Sequence, residues 1–186
     1  MTYCIMKKIL SFFWEVIKIV VIALVIVAPI RYFLFQPFLV KGQSMEPSFE
    51  NGDYLIIDEI SYRLRQPERG EVVVFKYPQN LSQRFIKRII GLPGETIEIK
   101  DGVITIIKGQ NTQALDETKY LPSSIQTWGN LEVTLKENEY FVMGDNREFS
   151  FDSRSWGPLL KEDLIGRVYV RVLPFVAFAK ITAPSY

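Results

Sequence analysis

Lys87 stands in the stretch Gln83-Arg84-Phe85-Ile86-Lys87-Arg88-Ile89-Ile90 of a 186-residue chain that contains no histidine. Acid–base chemistry near neutral pH therefore falls to a perturbed carboxylate, cysteine or lysine. If this stretch is a β-strand, alternation places Phe85, Lys87 and Ile89 on one face, with the ammonium between two apolar side chains. Burial of that kind favours the neutral amine. Bringing its pKa from about 10.4 to near 8 requires a shift of roughly 2.5 units, or about 3 to 4 kcal/mol. A lone lysine between apolar neighbours ordinarily snorkels to solvent, so a catalytic role needs a partner that must lose a proton.

Ser44 is the candidate partner. It lies in Val40-Lys41-Gly42-Gln43-Ser44-Met45-Glu46-Pro47-Ser48, a glycine-containing bend that can present a hydroxyl together with backbone N–H groups. A nucleophile that carries its own oxyanion donors needs that layout. A loop serine on its own is ordinarily a turn or cap residue, but serine activated by neutral lysine is an established variant of triad chemistry. A third group is the apolar run Tyr140-Phe141-Val142-Met143 followed by Gly144-Asp145-Asn146-Arg147-Glu148-Phe149-Ser150-Phe151-Asp152-Ser153-Arg154. So dense a polar loop after a core strand can orient catalytic groups, with Ser150 bonding a lysine amine and Asp152 pairing with Arg154. The plainer alternatives are an exposed ion pair, worth little, or a calcium loop. Calcium fits less well, because Arg147 falls where a ligand is required and Phe149 and Ser150 occupy the turn.

These groups must be positioned by elements of two kinds. The stretch Phe12 to Ile30 is apolar, and its part from Ile19 to Ala28 is free of charge. Its length approaches a bilayer span and predicts a transmembrane helix. Glu15 and Lys18 lie one turn apart and can pair, and Trp14 and Tyr32 resemble interfacial anchors. A cleaved signal peptide is disfavoured, since Pro29 to Phe35 offers no small-x-small site. Lys7 and Lys8 before the helix are nearly balanced by Arg31 and Lys41 after it, and the expected orientation leaves the following domain outside the cytoplasm. The formal charge of +1 argues against a nucleic-acid partner, and the single Cys4 excludes intrachain disulfides and cysteine-rich zinc sites. No metal or other cofactor is expected.

From Asp53 onward the apolar segments are short, rich in Val, Ile, Phe and Tyr, and divided by Gly, Pro, Asn or Asp, which predicts a mainly β fold. Strands are expected at Tyr54–Ile57, Glu71–Lys76, Arg84–Ile90, Thr96–Lys100, Val103–Ile107, Leu131–Leu135, Tyr140–Met143 and Arg167–Val172. Asp101-Gly102 between two of them predicts a tight hairpin. Pro158 to Leu164 reads as the one helical turn of the domain, beginning with Pro and ending before Gly166. The expected organisation is a tail at 1–11, an anchor and its exit at 12–35, a β-rich catalytic domain at 36–174 with a polar excursion at 108–130, and an apolar tail at 175–186 that rests on the bilayer or frays.

The segments Gly42-Gln43-Ser44-Met45-Glu46-Pro47, Arg69-Gly70-Glu71-Val72-Val73-Val74-Phe75, Phe85-Ile86-Lys87-Arg88-Ile89-Ile90-Gly91-Leu92-Pro93-Gly94-Glu95 and Gly144-Asp145-Asn146-Arg147 through Ser150, Asp152-Ser153-Arg154 occur in this order. Together they resemble the motif set of the bacterial type I signal peptidases. One such motif occurs by chance; all of them in order, behind an apolar N-terminal segment, are specific.

The resemblance implies a β-rich, cofactor-free serine endopeptidase, anchored once in the bacterial cytoplasmic membrane and acting on its extracytoplasmic face. Ser44 would attack the scissile carbonyl, Lys87 would act as general base, and the Ser44 N–H would hold the oxyanion. Ser150 would steady the Lys87 amine, and Asp145, Arg88, Asp152 and Arg154 would brace the site. Its partners would be preprotein signal peptides, the lipid bilayer and the protein export machinery. The substrate would lie extended beside Phe38, Leu39, Val40 and Met45 on one side and Gln83, Arg84, Phe85 and Ile86 on the other, with small residues first and third before the cut. Two departures stand out. Gly42 replaces a serine whose hydroxyl aids the oxyanion hole in some members, which leaves the second donor to the backbone, and Phe149 stands where asparagine is frequent. The competing readings are a LexA-like self-cleaving Ser/Lys peptidase and a catalytically inactive, membrane-tethered β-domain that binds extended peptides by strand addition.

Overall fold

The computed structural model describes residues 12–25 and 35–184. The chain divides into two compact units, Met1–Gln36 and Pro37–Tyr186. In the first, residues 12–25 are helical (α1) with every side chain exposed, and Lys18 Nζ donates to Glu15 Oε1 at 2.7 Å. Among the described residues no helix is long and apolar enough to cross a membrane. Residues 26–34, which hold the rest of the expected span and its Tyr32 anchor, lie outside the described residues, as do Cys4, Lys7 and Lys8.

The larger unit is built from two antiparallel sheets. The first has the order β1 (Phe35–Leu39), β2 (Tyr54–Asp58), β11 (Leu164–Leu173), β3 (Val72–Tyr77), β4 (Asn80–Gly91), β9 (Glu139–Met143), β10 (Leu159–Leu160), with β12 (Ala179–Lys180) beside β11. The second is the meander β7 (Asn111–Ala114), β6 (Val103–Lys108), β5 (Thr96–Lys100), β8 (Leu131–Thr134). Two further helical turns, α2 (Ser61–Leu64) and α3 (Ser153–Trp156), complete it. The β5–β6 hairpin closes through Asp101 and Gly102, whose φ values of 51° and 82° are the left-handed pair that a two-residue turn of this kind requires.

The sequence Val72-Val73-Val74-Phe75 does not alternate because both faces of β3 are covered. Val72 and Val74 pack with Val40, Met45, Phe49, Leu55 and Ile86, whereas Val73 and Phe75 pack with Ile89, Tyr140, Val142 and Leu159. The second sheet adds a separate cluster in which Ile97, Ile99, Ile104 and Ile106 cover Ile90, Phe141 and Met143. Strands β3, β4 and β9 are therefore the rigid centre of the unit, and β4 carries Lys87 through it.

Several expected elements take another form. Pro158 to Leu164 is helical only in part: Lys161–Asp163 form a single 3-10 turn, whereas Leu159 and Leu160 pair with Tyr140 and Glu139 as an edge strand. Burial of Leu159 against Tyr140 and Val142 outweighs the helix-start signal of the proline. The α-helical turns lie elsewhere, at Ser61–Leu64 and after Asp152, whose carboxylate accepts from Arg154 N and caps α3. The excursion at 108–130 begins with strand β7, paired to β6 through Lys108↔Asn111. The tail beyond 174 forms a 3-10 turn at Phe175–Ala177 and then pairs back as β12, with Lys180 opposite Val170, while Phe175, Val176 and Phe178 stay exposed.

Candidate active site

Strand pairing sets the base. In β4, Lys87 lies opposite Val73 of β3, on the face that carries Phe85 and Ile89. Lys87 is only 3% exposed, and its amine lies 5.7 Å from the centre of the Phe85 ring. It does not snorkel. Burial lowers its pKa from 10.5 to about 8; the nearby Asp152 and Asp145 carboxylates act in the opposite direction, and Arg154 assists the lowering.

The serine reaches that amine from a turn. Gly42, at φ 90°, bends the chain after Val40, and its N–H donates to Asn51 Oδ1 at 2.9 Å. Met45 and Phe49, both buried, hold the underside of the turn in the core, and Glu46 N donates to Gln43 O at 3.1 Å across it. Ser44 is left half-buried with its Oγ 2.6 Å from Lys87 Nζ, which also donates to Ile86 O at 2.9 Å. The Ser44 N–H donates to no protein group among the described residues and is available to an oxyanion.

The loop after β9 locks this turn in place. Asn146 donates its backbone N–H to Ser44 O at 3.1 Å and its side-chain amide to Gln43 O at 3.1 Å. Gly144 must be glycine, since a Cβ there would collide with the Ser44 carbonyl oxygen and the Ser150 side chain. Asp145 is fully buried and receives Arg88 Nε at 2.8 Å and Arg88 Nη2 at 2.5 Å, a bidentate pair across β4. Asp152, also fully buried, accepts from Gly144 N at 3.0 Å and from Arg154 Nε and Nη2 at 2.8 Å each. Burial opposes its ionisation, yet the Arg154 hydrogen bonds and charge hold its carboxyl below the usual range.

Of the residues expected at the site, Ser44, Lys87, Gly42, Asp145, Arg88, Asp152 and Arg154 converge. Ser150 packs against Gly144 with its buried Oγ turned to the Asp152 carboxylate, whose ionisation it favours, and no hydrogen bond joins it to the Lys87 amine. The groove in front of the dyad has a volume of about 550 Å³, and of the residues named for substrate contact Phe38, Leu39, Arg84, Phe85 and Ile86 line it. Val40 and Met45 do not: both are core side chains, and Val40 already uses its N–H to Asp53 O and its carbonyl to Gly52 N. Gln83 does not line the groove either. Among the described residues no group of three or more His, Cys, Asp or Glu could hold a metal ion.

Composition and spacing gave no hint of Glu117, Tyr120 and Thr127. Arg147 is buried, donates Nε to Gly144 O at 3.0 Å, and pairs with Glu117 and Thr127 of the excursion. Tyr120 donates to Glu117 Oε1 at 2.6 Å, and its ring lies 4.1 Å from the Arg88 guanidinium. Nothing in a polar, aperiodic stretch distinguishes Glu117 from its neighbours before the fold joins it to Arg147.

A serine hydroxyl held against a buried lysine whose pKa is lowered is the arrangement that Ser/Lys hydrolytic chemistry requires. The family model described as Signal peptidase, peptidase S26, matches residues 13–173, and the chain belongs to that family. It is 39% identical over 165 residues to "Probable signal peptidase I-2" of Synechocystis sp., covering 86% of this chain and 73% of that protein. It is 35% identical over 180 residues to the signal peptidase I of Leptolyngbya laminosa, covering 92% of this chain and 86% of that protein. A crystal structure of a signal peptidase I from Enterococcus faecalis V583 aligns at 30% identity with a TM-score of 0.46, covering 55% of this chain and 97% of that one.

Proposed function

We propose that this protein is a membrane-anchored serine endopeptidase that removes signal peptides from preproteins, with Ser44 as nucleophile and Lys87 as general base. The observation that carries the assignment of roles is the 2.6 Å approach of Lys87 Nζ to Ser44 Oγ by an amine whose pKa lies at about 8. At pH 7 about a tenth of such amines are neutral, against less than one in a thousand for an ordinary lysine.

The neutral amine takes the Ser44 proton as Oγ bonds to the scissile carbonyl carbon, and the carbonyl oxygen becomes an oxyanion facing the Ser44 N–H. Collapse breaks the peptide C–N bond, and the Lys87 ammonium returns the proton to the leaving nitrogen. A water molecule then gives a proton to the regenerated amine as its oxygen bonds to the acyl carbon of the Ser44 ester; the Oγ–acyl bond breaks, the Lys87 ammonium returns the proton to Ser44 Oγ, and the signal peptide leaves with a new carboxylate. Asp145–Arg88 and Asp152–Arg154 neutralise one another in pairs, so neither carboxylate holds the ammonium tightly enough to prevent its deprotonation. Residues 12–30 anchor the chain in the bacterial cytoplasmic membrane, and the β unit works on the extracytoplasmic face.

Incubation of the detergent-solubilised protein with a preprotein, with the cut located by mass spectrometry, tests this directly. Cleavage after a small residue is expected from the wild type, and none from Ser44→Ala, Lys87→Ala or Lys87→Arg, the last because guanidinium stays protonated. Full activity in a folded Ser44→Ala or Lys87→Ala variant would refute the dyad.

A further inference from the structure

Phe149 and Phe151 flank Ser150 yet stand 69% and 52% exposed. Both line the groove that holds Ser44 and Lys87. Phe151 is not isolated there: its ring meets Tyr77 edge-on at 5.9 Å, Tyr77 stacks on Phe85 at 4.9 Å, and Phe85 faces the Lys87 amine. An aromatic wall thus runs from the general base to Phe151 at the open rim, and Phe149, which touches no other ring among the described residues, stands more exposed on the same groove.

We infer that Phe149 and Phe151 form an additional subsite that takes a bulky apolar side chain of the substrate. The inference rests on the groove being where preproteins are cut. Any chain whose scissile carbonyl reaches Ser44 Oγ must run through this groove, and an extended chain advances about 3.3 Å per residue and turns successive side chains to opposite walls. A side chain that faces the aromatic wall buries both its own surface and the exposed parts of two rings, and offset or edge contacts between rings add to that gain. A small side chain at that position leaves the rings wet. The subsite is distinct from the places for the small residues nearest the cut, because those need a wall that excludes bulk.

The test is a peptide series built on one signal-peptide cleavage region. Each position within four residues of the cut, other than the two small ones, is set in turn to Phe, Ala and Asp, and kcat/KM is measured with the solubilised full chain. At one position Phe should be cut roughly tenfold faster than Ala, with Asp slowest. In Phe149→Ala/Phe151→Ala that Phe-to-Ala ratio should fall close to one. Phe149→Asn alone should lower the ratio too, and it removes only the more exposed ring. A wild type with no such preference at any position, or a preference that survives both variants, would overturn the inference. So would a double variant that loses affinity for phosphatidylethanolamine–phosphatidylglycerol vesicles while keeping the ratio, since the rings would then serve the bilayer. Failure of the wild type to cut any peptide or preprotein would instead defeat the proposed function.

Discussion

Lys87 is a buried amine whose charge nothing fully compensates, and this makes two measurable quantities depend on pH. Activity should follow the neutral fraction: kcat/KM rises about tenfold per pH unit below the pKa of about 8 and levels off above it. A profile flat from pH 6 to 10 would contradict the assignment. Stability follows the same titration from the other side. The unfolded chain holds the lysine proton up to about 10.5 and the folded chain only to about 8, so between these values the unfolded state binds more protons. Unfolding free energy therefore gains a term that grows from pH 8 to 10.5 and is absent below, with a full span of roughly 3 kcal/mol. Lys87→Met removes the ammonium and keeps the apolar stem. It should be inactive, more stable than wild type at pH 7 by about 1 to 3 kcal/mol in urea titrations, and equal to it near pH 10.5. A variant less stable than wild type at pH 7 would show that Asp145 and Asp152 rely on the amine after all.

The first sheet holds this residue, apolar side chains join that sheet to the second, and an ion pair ties the loop after β9 to the excursion. Arg147 reaches from the loop after β9 to Glu117 in the excursion after β7, and both its charge and its Nε bond to Gly144 O are buried. Glu117→Ala strands that guanidinium, which should destabilise the β unit by roughly 3 to 5 kcal/mol, whereas Glu117→Gln keeps hydrogen bonding and should lose less. Thermal denaturation of the two variants side by side checks the order; equal, negligible losses would mean that the loop holds itself. The geometry also explains what sequence could and could not reveal. Strands such as Thr96–Lys100 and the Asp101-Gly102 turn are specified by neighbours in the chain, so they were legible. Lys87 was legible as a candidate base because the absence of histidine narrows the choice and alternation puts the lysine in an apolar face, whereas its pairing with Ser44 was implied by the resemblance of the ordered motifs. Glu117–Arg147 spans 30 residues of sequence, and the withdrawal of Val40 and Met45 into the core depends on the β2, β3 and β11 side chains that surround them. Those facts arise only from tertiary pairing. Leu159-Leu160 misled for the same reason, since their strand conformation is imposed by Tyr140 and Glu139 across the ladder.

For the whole molecule, a peptidase of preproteins has to meet substrates whose own apolar segments lie in the bilayer, and the sequence before the β unit bears on that need. Residues 12–25 are helical, a rise of about 21 Å, whereas the hydrocarbon core of a bilayer is about 30 Å thick. The apolar sequence continues through Ile30, and a helix carried to that point would reach about 28 Å, close to a full span. Exposure of every side chain from 12 to 25 suits lipid as the solvent, with Lys18 and Glu15 paired one turn apart so that their charges offset. Expressed in a bacterium, the full chain should therefore sediment with the inner membrane and stay there through alkaline carbonate extraction, which strips proteins held only at the surface. Replacing Val20, Ile22 and Leu24 by Asp should release it, because each carboxylate at the centre of a span costs about 2.5 to 3.5 kcal/mol. Protease added to spheroplasts should degrade the β unit of the wild type while the cytoplasm stays sealed. Protection of that unit would reverse the proposed orientation, and extraction of the wild type by carbonate would remove the anchor from the mechanism and leave the dyad chemistry as it stands.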